Sequence, residues 1–455
     1  MRVLNILNRI AVVAVFMFAI NACTTDDLDP SLEQNKRIDG GITSVDNVYA
    51  IIKGGYSRMT SSGYYGRDYI INNEVRSDNC FSNGNSGRFT TQASFKYNEN
   101  TGFFWDDAYR VIANANLVIE QDIPSLEGDE AYGYHLQGQA YAMRALAHFD
   151  LVKQFGQQHV GGTLGVPYVM KYKDEENLTP ARNTVTECMN FIFDDLDQAY
   201  NLMSAGGSPE FLSKMAAKAI ESNVAVYFEE WDRAIAAAQM VIDSDDYSVI
   251  PAADYVKHWG SDGSANSIFE LAFSSTDNAG IDGLAYIYRT TGGGSYGDVQ
   301  VLDVVEDIYD AGDVRAGILG WEGDMLRNIG KFPNNQGYDN VIVVRYEEVI
   351  MNLAEALVET GGDAATALNM IINERGIAAY VNPVTKDDIL LERQREFIFE
   401  GHRYEDLVRM GKDIEKISIQ QNFSETIPYG DPIMAWAIPK AETDANSNMV
   451  QNDGY

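Results

Sequence analysis

Cysteine and histidine are both scarce in this sequence. Only three cysteines and five histidines occur among 455 residues, which excludes a scaffold built on disulfides. Their spacing contains no C-x-x-C or H-E-x-x-H pattern, and neither a P-loop nor a G-x-S-x-G elbow occurs. We therefore predict no metal and no cofactor, since no ligand spacing indicates even a structural calcium ion. Cys188 lies in a helical apolar run and is predicted to be a buried thiol, although an oxidising compartment would permit a disulfide with Cys80.

Basic residues are also in short supply. Lys and Arg number 34 against 67 Asp and Glu, which gives a formal net charge of −33. A field of this sign repels nucleic acid and anionic lipid, so we predict no nucleic-acid partner. The same field favours neutral ligands over polyanions, and its plainest consequence is solubility.

Long hydrophobic runs are missing except at the start of the chain. Arg2 and Arg9 precede an uncharged apolar run over 10–20, and Ala22 and Cys23 follow it. This pattern is typical of a signal peptide, and the run is too short for a membrane span of about 20 residues. We predict a signal peptide over 1–22, a lipid on Cys23 and an acidic flexible tether over 23–40. An ordinary secreted protein with a chance cysteine is the alternative.

Apolar residues recur at three- and four-residue spacing along most of the remaining chain. The pattern predicts helices over 104–119, 133–155, 185–203, 215–228, 231–242, 341–359, 364–374 and 386–410. Small inward residues such as Gly138, Ala142 and Ala145 let neighbouring helices approach closely. The spacing resembles tetratricopeptide helix pairs, though no strict period of 34 residues is present. We predict a mostly α fold in one domain over 41–455.

Two regions, 54–102 and 274–337, break the helical pattern and are rich in Gly, Asn and aromatic residues. Long irregular segments in a helical body usually carry function. The C–H face of a sugar ring can lie flat on Tyr or Trp, while its hydroxyl groups need polar partners. Each loop aromatic has two interpretations, a cap on the core or a ligand contact. As candidate oligosaccharide contacts we take Tyr64, Tyr65, Phe81, Tyr286, Tyr288, Arg289, Tyr296 and Trp321.

Charged residues recur at helical spacing in two C-terminal segments. The first contains Arg345, Glu348, Asn352 and Glu355; the second contains Arg393, Glu396, Glu400, Arg403, Asp406 and Arg409. Opposite charges three and four residues apart pair on a helix, so we interpret both segments as ladders of ion pairs and hydrogen bonds that join helices. The catalytic alternative is a glycosidase, which needs only two carboxylates beside a sugar.

The sequence resembles the SusD/RagB family of nutrient-binding outer-membrane lipoproteins. The resemblance rests on the Cys23 leader, on the helix from Trp105 to Val118, and on two sharper matches at the C-terminus. The first is the series Glu392, Arg393, Glu396, Glu400, Gly401, Arg403, Asp406 and Leu407, which looks like the family motif E-R-x-x-E-x-x-x-E-G-x-R-x-x-D-L; the second is the tail Gln451, Asn452, Gly454 and Tyr455. Ligand residues vary in this family, so no site residue is carried over.

The resemblance implies a right-handed superhelical scaffold of tetratricopeptide-like helix pairs, an irregular binding half with a few short strands, and no enzymatic activity. It also implies display at the cell surface, where the protein would hand glycan to a SusC-like TonB-dependent transporter. We therefore predict an oligosaccharide-binding lipoprotein, anchored in the outer membrane through Cys23. The alternatives are a peptide-binding or scaffolding lid of the transporter and, from the enzyme class, a surface glycoside hydrolase.

Overall fold

The computed structural model describes residues 41–289 and 296–455. The signal peptide, Cys23 and the tether predicted for residues 1–40 lie outside the described residues. Within the two described ranges, no helix has the length and apolar character needed to cross a membrane.

Most helices of the first half pack side by side in chain order. Their bounds are α1 Val45–Met59, α2 Asp68–Val75, α3 Thr90–Ala93, α4 Trp105–Ile119, α5 Glu130–Phe155, α6 Val185–Leu202, α7 Lys214–Tyr227 and α8 Trp231–Ile242. Helix α4 contacts both α1 and α5, and the row continues from α5 through α6 and α7 to α8. Each helix buries its apolar face against its neighbours, as in helical-repeat proteins.

Local sequence signals explain where these helices begin and how closely they pack. Helix α6 begins with a capping box, in which the Thr184 hydroxyl accepts the N–H of Glu187 and the Glu187 carboxylate accepts the N–H of Thr184. On α5, a Cβ at Gly138 would come within 2.6 Å of Met203, at the end of α6. The predicted role of this small residue in close helix packing is confirmed.

The second half extends the row and adds short elements. Its helices are α9 Leu284–Tyr288, α10 Tyr346–Thr360, α11 Ala364–Ile372, α12 Lys386–Phe397, α13 Arg403–Arg409 and α14 Lys440–Ala445. Helix α10 packs on α8 and on α11. The prediction of one helix over 386–410 is wrong, because the backbone turns at Phe399 (φ 75°) and Gly401 (φ 85°), both left-handed.

Six short strands in the described part of the chain form three antiparallel pairs. They are β1 Cys80–Ser82, β2 Ser267–Leu271, β3 Val299–Val301, β4 Leu319–Glu322, β5 Met325–Asn328 and β6 Val341–Arg345, paired as β1–β3, β2–β6 and β4–β5. The helix predicted over 341–359 is therefore wrong in its first five residues, where the β-branched run favours an extended chain. The prediction of a mostly α fold with a few short strands is confirmed.

Both cysteines of the described residues are buried free thiols. Burial raises the pKa of Cys188 to about 11, so its unreactive thiol form prevails at neutral pH. The prediction of a buried thiol at Cys188 is confirmed, and no disulfide joins it to Cys80.

A buried set of charges joins β6, α10 and α12 to the segments that follow α11 and α12. We call it the Arg345 cluster; it comprises Arg345, Glu347, Arg375, Glu396 and Glu400. Arg345 donates through Nη1 to Glu396 and through Nε to Glu400, both at 2.9 Å. Arg375 donates through Nε and Nη2 to the two carboxylate oxygens of Glu396, also at 2.9 Å. The interpretation of Arg345, Glu396 and Glu400 as part of a ladder that joins elements is confirmed. Glu347 and Arg375 were not predicted to belong to it.

A second set of ion pairs joins α10, α12 and α13. Arg393 donates from Nε to Asp406 at 2.8 Å, and Arg409 donates from Nη2 to Asp406 at 2.7 Å and to Glu355 at 2.8 Å. The turn at Gly401 separates α13 from α12 and reverses the chain. Asp406 on α13 therefore lies beside the side chain of Arg393 on α12. The turn therefore lets this ladder span three helices.

We expect Gly401→Ala to lower the free energy of unfolding by roughly 2–5 kcal/mol. An alanine would need the strained left-handed backbone, and its Cβ would lie 2.9 Å from Ile70 Cα. The matched control is Gly430→Ala, which shares the positive φ (89°) but has no atom within 4 Å of the added Cβ. Urea denaturation of both variants separates strain from crowding; equal losses would contradict a contribution from Ile70.

Candidate ligand-binding site

The irregular half of the fold presents a partly exposed group of side chains, which we call the aromatic loop surface. It comprises five of the predicted contacts, Phe81, Tyr286, Arg289, Tyr296 and Trp321, together with Arg88. Phe81 lies on β1 and Trp321 on β4, whereas Tyr296 directly precedes the segment that enters β3. Strand β1 pairs with β3, β3 contacts β5, and β5 pairs with β4. This chain of contacts links residues that are distant in sequence.

Tyr296 is fixed by contacts to both its backbone and its ring. The Arg88 guanidinium lies over the ring, 4.4 Å from its centroid, and Asn85 Nδ2 donates to the Tyr296 carbonyl at 2.7 Å. Arg88 is itself held by Asp282, which accepts from its Nη1 at 2.6 Å and from Arg67 Nη1 at 2.5 Å. The ring is therefore held in place by the protein alone.

Asp298 binds the Gly- and Asn-rich loop to the start of β3. Its buried carboxylate accepts the backbone N–H of Ser86 at 3.0 Å, and its carbonyl accepts the N–H of Asn83 at 3.0 Å. The Asn83 amide also donates to the Gly297 carbonyl at 2.7 Å. The hydrogen-bonding groups of these side chains are therefore used to hold the loop in place and not to bind a ligand.

Trp321 is the most exposed aromatic ring of the surface, with 47% of the residue accessible. Its Nε1–H donates to the Glu306 carboxylate, 3.2 Å from each oxygen, which orients the indole. From the neighbouring strand β5, Arg327 donates through Nη1 to the carbonyls of Gly297 and Val299, at 2.7 and 3.1 Å. Arg327 thus links the hairpin that carries Trp321 to the segment that carries Tyr296.

Arg289 and Tyr286 are largely engaged by the backbone, and the Tyr286 carbonyl accepts the N–H of Gly297 at 3.0 Å. Arg289 donates to the carbonyls of Pro333 and Ile329, at 3.2 and 2.6 Å, and partial burial lowers its pKa. Tyr286 packs so closely on Gly337 that a Cβ there would come within 2.9 Å of its ring. Both residues shape the surface more than they project from it.

Three predicted contacts lie in the core instead. Tyr64 and Tyr65 donate to the buried Asp150 carboxylate on α5, at 2.5 and 2.7 Å, and the Tyr288 hydroxyl donates to the Phe399 carbonyl at 3.3 Å. The expectation that these three rings are available in loops is wrong, because a buried acid and a buried carbonyl need their hydroxyl groups. None of the three belongs to the aromatic loop surface.

Arg88, Asp282 and Asp298 were missed by sequence reasoning although they fix Tyr296. Their common signal is a glycine next to a charged residue, which predicts a loop but does not predict which residue the charge contacts. Within 41–289 and 296–455, no group of three or more His, Cys, Asp and Glu side chains is arranged to hold a metal ion.

Two family models match most of the chain. Residues 28–227 match a model described as starch-binding and associating with the outer membrane, and residues 330–455 match the model of the SusD family. The chain belongs to the SusD/RagB family. The second match contains the whole Arg345 cluster, so the buried charges lie in the part of this SusD/RagB chain that the family model covers.

Known proteins resemble this SusD/RagB chain in sequence and in fold. A SusD-like protein of Formosa agariphila is 25% identical over 387 residues, which cover 68% of this chain and 72% of its own. The starch-binding protein SusD of Bacteroides thetaiotaomicron is 28% identical over 182 residues, covering 38% of this chain and 31% of its own. A solved SusD superfamily protein of Bacteroides vulgatus, 28% identical, superposes with a TM-score of 0.83 over 91% of this chain and 99% of its own.

Proposed function

We propose that this chain is a cell-surface glycan-binding protein of the outer membrane. In this proposal it captures an oligosaccharide on the aromatic loop surface and delivers it to a SusC-like TonB-dependent transporter. Residues 1–22 direct export, lipid on Cys23 and the tether over 23–40 hold the protein at the membrane, and residues 41–455 act as one binding domain without catalytic activity. Family membership supports the assignment to carbohydrate binding.

The observation that carries the proposal is the pair of held aromatic rings on joined elements. Trp321 is exposed and oriented by Glu306, and Tyr296 is backed by Arg88. Exposed aromatic rings that the protein already fixes can stack on the C–H face of a sugar at small entropic cost. The partly exposed Arg88 and the Asp282 beside it supply a donor and an acceptor for sugar hydroxyl groups.

A glycan panel tests this proposal with the purified full chain. Isothermal titration calorimetry would compare neutral malto-, cello-, laminari- and xylo-oligosaccharides with oligogalacturonate. We expect at least one neutral oligosaccharide to bind and the polyanion to bind more weakly, because the chain carries a net charge of −33. Absence of measurable binding to every oligosaccharide in the panel would overturn the proposal.

Trp321→Ala and Tyr296→Ala are each expected to weaken binding of the responsive oligosaccharide about 3- to 10-fold, which corresponds to the contribution of one aromatic contact. The matched control is Tyr429→Ala, since Tyr429 is comparably exposed (42%) but lies in the C-terminal segment. Thermal melts should show the three variants folded. An unchanged dissociation constant in the Trp321 and Tyr296 variants would place the glycan elsewhere.

The two rival functions give different results in the same preparation. A surface glycoside hydrolase would release reducing sugar from the glycan that binds, and we expect none. A peptide-binding or scaffolding lid would bind none of the glycans in the panel. Its affinity for its own partners would be unchanged by Trp321→Ala.

A further inference from the structure

A second aromatic cleft lies where the first turns of α1 and α5 meet the segment between α6 and α7. We call it the Tyr132 cleft; its walls include Tyr49, Tyr132, His135 and Phe211, and its volume is about 170 Å³. A neighbouring cavity of about 200 Å³ shares the 206–208 turn with it. The cleft is built from the helical row, and none of its residues belongs to the aromatic loop surface.

Tyr132 supplies an aromatic ring that the fold does not bury. It is 40% exposed, and its centroid lies 6.1 Å from that of Tyr49 and 6.1 Å from that of His135, whose ring is within 14° of parallel. Phe211 extends the group, with its centroid 6.5 Å from that of Tyr49. Ligand sites in proteins combine such apolar, aromatic walls with a few polar groups.

Polar groups with unused hydrogen-bonding capacity border these rings. Among the described residues, neither the Tyr49 nor the Tyr132 hydroxyl has a hydrogen-bond partner. Lys53 Nζ lies 4.8 Å from the centroid of Tyr49, and the carboxylate of Asp46 lies near enough to Tyr132 to help burial and Tyr49 raise the pKa of its phenol. Donors and acceptors therefore stand at the edge of an exposed ring.

The floor of the cleft is formed without a ligand. Gln139 donates from Nε2 to the Leu212 carbonyl at 3.0 Å and accepts from the Tyr56 hydroxyl at 3.1 Å, and that hydroxyl in turn accepts the N–H of Leu212 at 2.8 Å. The backbone N–H of Ser204 donates to His135 Nδ1 at 3.1 Å. These contacts fix the wall and the floor before anything binds, which lowers the entropic cost of binding.

We propose that the Tyr132 cleft is a second carbohydrate-binding site. One sugar ring of a neutral glycan would stack on Tyr132, while its hydroxyl groups reach Asp46, Lys53 and the two phenol oxygens. This inference rests on the proposed function, because it assigns to the cleft the same class of ligand as to the aromatic loop surface. Two sites on one chain would hold a long glycan more tightly than a short one, through the high effective concentration of the second contact.

Calorimetry with the neutral oligosaccharide that binds wild type, for example maltoheptaose, tests the second site in the full chain. In the double variant Tyr296→Ala and Trp321→Ala, we expect a weak site to remain. Adding Tyr49→Ala and Tyr132→Ala should remove this residual binding, whereas adding Tyr134→Ala, two residues along α5 and outside both cavities, should not. Tyr132→Phe keeps the ring and should weaken the residual site about 2- to 10-fold through loss of one hydrogen bond.

The outcomes separate this inference from the proposed function. Wild-type binding that the loop-surface variants abolish completely, or residual binding that survives Tyr49→Ala and Tyr132→Ala, would overturn the second site and leave the first. Absence of binding by wild type to every glycan would overturn both. Equal affinity for short and long chains of the same glycan would contradict simultaneous use of the two sites.

Discussion

Replacing Arg345 with methionine is expected to lower the free energy of unfolding by about 3–5 kcal/mol, the usual cost of removing one partner from a buried ion pair. Arg345 is 2% exposed and forms ion pairs with Glu347, Glu396 and Glu400. Methionine fills much of the same space, but it leaves three buried carboxylates with less positive charge among them. Urea denaturation at pH 7 measures the loss.

The matched control for this substitution is Lys386→Met, at the start of α12. Lys386 also pairs with a glutamate, Glu359, but its side chain is 56% exposed. Water screens such a pair, so its removal should cost at most about 1 kcal/mol. Similar losses in the two variants would show that the Arg345 cluster contributes no more than a surface pair.

Acidification from pH 5 to pH 2 is expected to destabilise the fold by roughly 3 kcal/mol through Glu400. Burial by itself would raise the pKa of Glu400, but Arg345 and Lys331 outweigh burial and lower it to about 2. The folded pKa therefore lies below the unfolded value near 4.5. For this sign, the stabilisation is complete above pH 4.5 and is lost as the pH falls toward 2.

The effect of Glu400 on stability occurs below pH 4.5, which distinguishes it from the effect of Glu74, a buried acid whose pKa is raised instead of lowered. Burial raises the pKa of Glu74 to about 7, so Glu74 changes stability between pH 4.5 and 7. Urea denaturation at closely spaced pH values should give a shallower acid slope for Glu400→Gln than for wild type. The exposed substitution Glu175→Gln should keep the wild-type slope; if Glu400→Gln keeps it too, the assignment to Glu400 is wrong.

Periodicity predicted the helical row well, because each helix buries one face and therefore needs apolar residues at fixed spacing. It could not detect the turn between α12 and α13. Phe399 and Gly401 interrupt a pattern whose charges continue at helical spacing, and the turn forms because Gly401 packs on Ile70 while its N–H donates to Glu74. Ile70 and Glu74 are more than 300 residues away in the sequence, so the residues around Gly401 do not predict these contacts.

The candidate site shows the same limit at the level of single side chains. Composition identified two irregular segments, and five of the eight residues predicted there are at least partly exposed. Tyr64 and Tyr65 were misjudged because Asp150, an acid in an otherwise apolar stretch of α5, needs donors. An isolated acid in such a stretch is a usable signal, since a buried carboxylate almost always has hydrogen-bond partners.

The Tyr132 cleft had no sequence signal at all. Tyr49 and Tyr132 lie at helical positions and are separated by 83 residues, and only the packing of α1 beside α5 brings them together. Their exposure depends on which way each helix faces. Leu136, four residues after Tyr132 on the same helix, is buried, so periodicity alone favours a packing role for Tyr132.

The hydrogen bonds of Arg327 and Asn85 bear on how fast the aromatic loop surface could bind a ligand, as well as on its shape. Because they join its elements in the free chain, the conformational freedom of those elements is lost once, during folding, and not at every encounter with a ligand. In the proposed function, a glycan would then associate at a rate close to that of rigid-body docking, and the lifetime of its complex would depend on a few exposed rings. Fast binding and fast release are what the proposed delivery to a transporter would require.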